Sequence, residues 1–485
     1  MSTNAESMQN AGSEKATPQK KKIEIWRYVV AVCGIIGFAL IVAFTPESTG
    51  LTQAGKYTLG ILFLIVTWWI SEICSIVVTA FLGMLLMVLF KVADTAVIFA
   101  GFSNDTYIFL IFAFIIAIAV TKTGLGKRVA YAIIARTRPT FSGIMVTLAL
   151  LGMALGAIVP SGNARTVIMG TIGLMLLPLF GQTEDKKSNV GRGIFTLLGL
   201  TTSMSSVAYI SGGAGSILVL GLLVKAGFKI SYVQWLVMFM PAMLLVSVLM
   251  ALIIPRMFPP EVKSVSVERF KEFQATLHGL GPMTGQEKKA AVVVGATLFL
   301  WIIGSFINLS VTTVALLGAV LLMFPFIDIV KDGDLNKIGW AALLFTGFSL
   351  SLSAVLQATK VNSFLATMAS PLMTSPSLLT FCLKIWLIAT VAHFFLPGPL
   401  PAYAAFLPII MASAKAQGFS LLIPVVVFVV SYSGFVMVYQ MTQAVIAYGF
   451  KQFDARDLQK PGLVLLGLLL LLTPILVLYL SALRF

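Results

Sequence analysis

Apolar residues run along this chain in stretches of roughly 20, separated by short polar turns, which is the length a helix needs to cross about 30 Å of hydrocarbon. The pattern predicts spanning helices near 28–45, 57–71, 73–90, 107–121, 194–224, 231–254, 290–306, 311–327, 340–357, 421–449 and 462–482. Two further apolar segments, 141–180 and 377–413, are each long enough to enter a membrane, turn and leave by the same side. Their middles hold residues that a membrane helix avoids: Pro160-Ser161-Gly162-Asn163-Ala164-Arg165 in the first, Leu396-Pro397-Gly398-Pro399-Leu400-Pro401 in the second. Non-helical backbone at membrane depth survives only where protein buries it or a watery cavity meets it. The expected fold is an all-α membrane protein of about 11 transmembrane spans plus two re-entrant hairpins.

The two halves superimpose in sequence at a constant offset of 237, Thr121 on Ala358 and Pro160 on Pro397. Each half reads as a span, a connecting helix (127–136; 362–370), a hairpin, a second interrupted segment (210–216; 431–435) and a closing span. The intervening spans reverse the direction, so the repeat is expected to be inverted. The chain divides into a disordered cytoplasmic tail (1–25), scaffold spans with a connecting helix (26–138), a first transport half (139–255), a cytoplasmic linker (256–289), a second scaffold (290–370) and a second transport half (371–485). Paired breaks in corresponding positions of two halves point to the binding site of a secondary transporter.

Composition narrows this further. At 59% hydrophobic and 11% charged residues, an ordinary soluble surface is excluded. The net charge of +15 could suggest nucleic acid, but 24 of the 33 Lys and Arg residues fall in the loops 1–27, 122–138, 186–192, 256–289, 331–337 and 451–460. All of these lie on one side if the hairpins are re-entrant. That asymmetry is a topology signal, placing the N-terminus in the cytoplasm and the C-terminus outside a cell membrane. Cys33, Cys74 and Cys382 sit in apolar segments without metal-ligand spacing. The spans contain no HExxH, no paired catalytic Asp and no readable Ser/His dyad, which argues against an intramembrane enzyme.

After each break a new half-helix begins, and its first N–H groups have no intrahelical partner. Each such terminus carries roughly +0.5 of an elementary charge and binds anions without a basic side chain. Termini near Ala164, Ser216, Ala402 and Val436 together supply roughly +2, which suits a dianion. Ser161 and Asn163 offer side-chain donors or carbonyl oxygens, Gly162 permits close approach, and the same residues are also good helix caps. Arg165, an ionisable residue inside a membrane segment, either contacts a carboxylate or stabilises the tip through backbone carbonyls. Lys384 is close enough to an interface to snorkel, Glu72 falls at an interfacial turn, and His393 precedes the second tip by one turn. The run 211–216 lacks the Gly-Lys-Ser/Thr of a phosphate loop, so unwound backbone for ligand or cation is expected there. In the second half Ser433, Gly434, Tyr439, Gln440 and Thr442 occupy the matching region, where Tyr439 and Gln440 bind ligand or satisfy one another.

These residues resemble the divalent anion/sodium symporter family, which includes di- and tricarboxylate carriers, sulfate carriers and citrate/succinate-type exchangers. The likeness rests on Pro160-Ser161-Gly162-Asn163-Ala164-Arg165-Thr166, on Ala100-Gly101-Phe102-Ser103-Asn104 through Lys122-Thr123-Gly124-Leu125-Gly126, and on Trp235 to Pro241, within residues 50–480. It implies an elevator-type homodimer with substrate between the hairpin tips, a lipid membrane around it and no partner nucleic acid. It places the site at Ser161, Gly162, Asn163 and Gly213 in the first half and Pro397, Gly398, Pro399 and Ser433 in the second, with Na⁺ as a possible coupling ion at Ser161, Asn163 and Gly213. No other cofactor is implied. Pro397-Gly398-Pro399 departs from the family's Ser-Asn-Thr and offers no side-chain oxygen, while His393-Phe394-Phe395 looks like the exchanger branch. The expected substrate is a small organic anion, a di- or tricarboxylate, with Ser161, Asn163 and Thr166 on one carboxylate and the backbone around Gly398 on the other. Arg165 and Gln440 complete the candidate set, and a carrier of inorganic or sulfonated anions or a non-transporting receptor are the alternatives.

Overall fold

A computed structural model describes residues 25–46, 51–159, 161–278 and 281–484, so nearly all of the expected tail, and Pro160 of the first tip, lie outside the described residues. Helices α1 (Ile25–Phe44), α2 (Gln53–Ser71) and α3 (Ile76–Leu89) lead to α4 (Asp105–Thr123) and the short α5 (Leu125–Ile134). The first hairpin is α6 (Phe141–Ile158) with α7 (Gly162–Leu176), followed by a broken span α8 (Asn189–Ala208) and α9 (Ala214–Lys225), then α10 (Tyr232–Met257). After α11 (Val267–His278), α12 (Gly285–Ile307) and α13 (Val311–Met323), the order recurs. It runs α14 (Trp340–Ala358), α15 (Val361–Met373), the hairpin α16 (Leu378–Phe395) and α17 (Pro399–Ala416), the broken span α18 (Leu422–Tyr432) and α19 (Thr442–Gly449), and α20 (Gln459–Ala482). Among the described residues ten helices are long and apolar enough to cross a bilayer.

Local chemistry sets the boundaries. Thr140, Ser188, Ser231 and Ser377 each cap a helix through a side-chain oxygen, and Ser231 with Gln234 closes a capping box. Gly124, in the left-handed region at φ 76°, ends α4 and starts α5. The expected span 73–90 is trimmed to α3 because Glu72 turns left-handed (φ 49°) and Ser75 caps from outside the helix. The span expected at 107–121 gains residues at both ends, where Asn104 caps its start and Gly124 ends it after Thr123. Ahead of α4 the stretch that includes Ala100–Ser103 forms two short turns, Thr95–Ile98 and Ala100–Ser103, which pack on α14. There a Cβ on Gly101 would stand 2.0 Å from Gly347 O, so the close approach requires glycine.

The hairpins keep the sequence offset to the residue. α6 spans 141–158 and α16 spans 378–395, while α7 begins at 162 and α17 at 399. The residues that leave the first arm match as well, Val159 at φ −110°, ψ 96° and Leu396 at φ −115°, ψ 90°. The halves then interlock, for α19 packs on α7 and α8 while α9 packs on α17. Each hairpin therefore receives the second half-helix of the other half, and this exchange brings all the breaks to one place.

Basic loops collect at one end, stapled by Lys122 to Asp334 (2.5 Å), Arg128 to Glu287 (2.9 Å), Lys187 to Asp454 (2.5 Å) and Arg192 to Asp457 (3.3 Å). Hydrogen bonds from Lys122 and then Lys337 hold the Asp334 carboxyl well below the usual carboxylate range.

Candidate functional site

A cavity of about 280 Å³ lies where the breaks meet. The first tip contributes Ser161, Gly162 and Asn163, the end of α8 contributes Ser203, Ser206 and Val207, and the second break contributes Met441 and Gln443 at the start of α19. Gly213, Ala214, Gly215 and Ser216 line it from the start of α9, Pro399, Leu400 and Tyr403 from α17, and Phe114, Gly339 and Ala342 from the α4 and α14 side. First-turn residues of α7, α9, α17 and α19 thus share one space. The fourth helix begins at Thr442 and not near Val436, because the turn Val438–Gln440 follows the break and delays it.

Among the described residues no ionised side chain lines this cavity. Its donors are neutral. Ser161 caps Ala164 N at 3.3 Å, so the N–H groups of Gly162 and Asn163 remain without intrahelical partners. α9 and α19 have no side-chain cap at all. In α17 the prolines at 399 and 401 carry no N–H, leaving Leu400 and Ala402 as the donors of its first turn. Among the described residues the Asn163 and Gln443 amides and the Tyr403 hydroxyl make no hydrogen bond, and Ser203 Oγ is buried without a partner. These side chains line the pocket with spare capacity to bind.

The other predicted residues stand behind the cavity. Arg165 is fully buried and donates to Val159 O, to Gly212 O (3.1 Å from both terminal nitrogens), to Thr202 O (3.4 Å) and to Ser206 Oγ (2.5 Å). It fastens the first tip to the α8–α9 break. Thr166 Oγ1 lies 2.8 Å from both Gly162 O and Thr202 Oγ1, turned into the same packing. Ser433 is buried and donates to Val430 O at 2.6 Å. Gln440 Oε1 accepts from Val436 N (2.8 Å) and Met437 N (2.6 Å), while its backbone oxygen accepts from Gly398 N (2.8 Å). Tyr439 donates to Phe394 O at 3.0 Å rather than to Gln440. Pro397 and Gly398 shape the second tip, but only Pro399 of that triplet reaches the cavity wall.

His393 is the counterpart of Arg165. It is fully buried and stacked on Tyr432 at 4.0 Å, with Nδ1 2.9 Å from Gly434 O and Nε2 3.1 Å from Gln440 O. Carbonyl oxygens only accept and a neutral imidazole carries one N–H, so the ring donates to one of these two carbonyls, the choice set by its tautomer. Each break is therefore fastened to its hairpin by a buried nitrogen-bearing side chain, Arg165 in the first half and His393 in the second.

Sequence reasoning passed over Ser203, Ser206, Tyr403 and Gln443. The run Thr201-Thr202-Ser203-Met204-Ser205-Ser206 is a polar patch in an apolar span and was the available signal. Tyr403 and Gln443 carried none. A second cavity of about 440 Å³ shares Phe114, Ser161 and Gly339 with the first and reaches Lys122 and Lys337, so the site communicates with the basic end.

Comparison with known proteins agrees with this architecture. A membrane protein of Cupriavidus necator is 28% identical, covering 93% of this chain and 91% of its own length. The citrate/succinate antiporter of Escherichia coli K12 is 26% identical over 75% of this chain and 76% of its own. Among solved structures, the YdaH transporter of Alcanivorax borkumensis matches the fold with a TM-score of 0.52 at 14% identity, covering 80% of this chain and 87% of that one. The model of the sodium:sulfate symporter transmembrane region matches residues 22–483, and the chain belongs to that family of membrane transporters, the divalent anion/sodium symporters.

Proposed function

We propose that this protein is a secondary active transporter of di- or tricarboxylates, such as succinate, malate, 2-oxoglutarate or citrate, working by exchange. The observation that carries the reading is a cavity without ionised side chains onto which the first turns of α7, α9, α17 and α19 open. Four helix termini of roughly +0.5 each stabilise a dianion without fixing a full charge in the membrane. At roughly 30 Å³ per water, about 280 Å³ holds some nine waters, the scale of a small carboxylate rather than of sulfate. One carboxylate would be held by Asn163, Ser203 and the starts of α7 and α9, the other by Gln443, Tyr403 and the first turn of α17.

Exchange is favoured over sodium symport by what already occupies the unwound carbonyls. Sodium takes oxygen ligands, and here Val159 O and Gly212 O accept from Arg165 while Gly434 O and Gln440 O face His393. Among the described residues, carbonyls of both breaks thus already face a nitrogen-bearing side chain, which supports exchange. The relative named as a citrate/succinate antiporter supports the same mode. Movement of the hairpins with their broken spans against the scaffold, an inverted relation between the halves, a homodimer, and a cytoplasmic N-terminus with an outside C-terminus complete the reading. The basic staples at one end support that orientation.

Proteoliposomes test this directly. Labelled succinate should enter only when the lumen holds succinate or citrate, at the same rate in sodium and in choline, with competition by malate and not by sulfate. A sodium requirement would overturn exchange, sulfate competition would overturn the substrate class, and no uptake in any condition would leave a receptor.

A further inference from the structure

A larger cavity than the one between the tips lies elsewhere. A cleft of about 890 Å³ runs on the outer flank of the second hairpin, between α2, α15, α16 and α17. Its walls are apolar: Ile70 from α2, Met368 and Leu372 from α15, and Leu387, Val391 and Phe395 along one face of α16. Several of these are far more exposed than core residues, Leu372 at 67% and Phe395 at 56%. Among the described residues the one ionisable lining group is Lys384, towards the end of the cleft where the hairpin begins. Its ammonium donates to Leu372 O (2.9 Å) and Thr374 O (2.7 Å), which leaves one of its three N–H donors over. Among the described residues no carboxylate lies within ion-pair reach of it.

We infer that this cleft is a binding site for one anionic phospholipid, with the phosphate on Lys384 and an acyl chain lying along α16 towards the hairpin tip. The dimensions select the occupant. From residue 384 to 395 the helix rises about 16 Å, and half of an approximately 30 Å hydrocarbon core is about 15 Å, so the cleft is one leaflet deep. It has a cation at the interfacial end and only apolar side chains at the deep end, which is the polarity of an anionic lipid. A second protein helix without an acidic residue at that depth would leave the ammonium without a counter-charge. The cleft is also bounded by a scaffold helix and by the hairpin, so its lipid would sit between two parts of the carrier. The inference rests on membrane embedding and not on exchange, so it and the transport reading fail independently.

The test uses the full chain in phosphatidylcholine nanodiscs doped with phosphatidylglycerol, with bound lipid counted by native mass spectrometry after detergent release. Wild type and Lys384→Arg should retain one phosphatidylglycerol in preference to phosphatidylcholine. Lys384→Gln, which keeps donors for the two carbonyls but removes the charge, should lower that preference about fivefold. Ala369→Trp, which fills the cleft wall without touching the charge, should lower retention of both lipids. Unchanged preference in Lys384→Gln would overturn the phosphate contact, and unchanged retention in Ala369→Trp would overturn the cleft as the site. If Lys384→Gln fails to fold, the Arg and Trp variants still decide between a built site and a general lipid coat.

Discussion

At the scale of single residues, two kinds of polar group have separated: those that hold the breaks together and those left open to a ligand. Arg165 belongs to the first kind. Replacing it with Met would orphan the buried acceptors Val159 O and Gly212 O, each at roughly 1–3 kcal/mol, so the variant should show a large fall in Tm and no transport. Lys would keep the charge but not the planar fork, and should recover only part of the stability. A Met variant with wild-type Tm would show that the guanidinium is not the fastening. Gln443 belongs to the second kind, since its amide lines the cavity and bonds nothing among the described residues. Gln443→Ala should leave Tm unchanged and raise KM for succinate about two- to tenfold, the worth of one neutral hydrogen bond. A lowered Tm with unchanged KM would put it with the fasteners instead.

At the scale of elements, the hairpins were legible and their facing was not. Proline and glycine in an apolar run mark a break by their backbone chemistry alone, which is why the offset of the two tips carried through to the helix ends. Which hydroxyl or amide near a break meets the cavity depends on how α9 and α19 exchange between halves, and no periodicity in the sequence records that. Ser433 and Gln440 looked equivalent to Ser203 and Gln443 as polar residues beside a break, yet the first pair turn into the packing and the second pair into the cavity. The second tip gives an element-level prediction. Gly398 holds φ 77°, ψ 158°, a conformation nearly confined to glycine, while a Cβ there would meet nothing within 4 Å. Gly398→Ala should therefore destabilise by about 1–3 kcal/mol through backbone strain alone. Thermal unfolding in detergent measures it, and an unshifted Tm would mean that the tip can adopt another turn.

At the scale of the whole molecule, the cavity opens towards Lys122 and Lys337, and α9 packs against α14. The contact is specific. Lys225, in the last turn of α9, donates to the carbonyl of Leu350, and a Cβ on Gly221 would stand 2.7 Å from the Leu350 side chain. Leu350 lies near the middle of α14, so the terminal lysine of a half-helix rests at mid-depth of a spanning helix instead of at an interface. That placement is what a transport unit displaced towards the basic end would produce, and the lysine's bond to a carbonyl holds it there. Lys225→Met removes a charge-assisted bond worth roughly 1.5–3 kcal/mol, enough to move a two-state balance by about tenfold or more towards the opposite opening. A cysteine at Thr121, in the cavity mouth, reports the balance once Cys33, Cys74 and Cys382 are replaced. Labelling by an impermeant thiol reagent from the basic side should fall severalfold when Lys225→Met is added, and saturating succinate should alter the labelling in both backgrounds. Equal labelling with and without Lys225 would mean that this contact does not bias the two openings, and the alternating movement would then need a different latch.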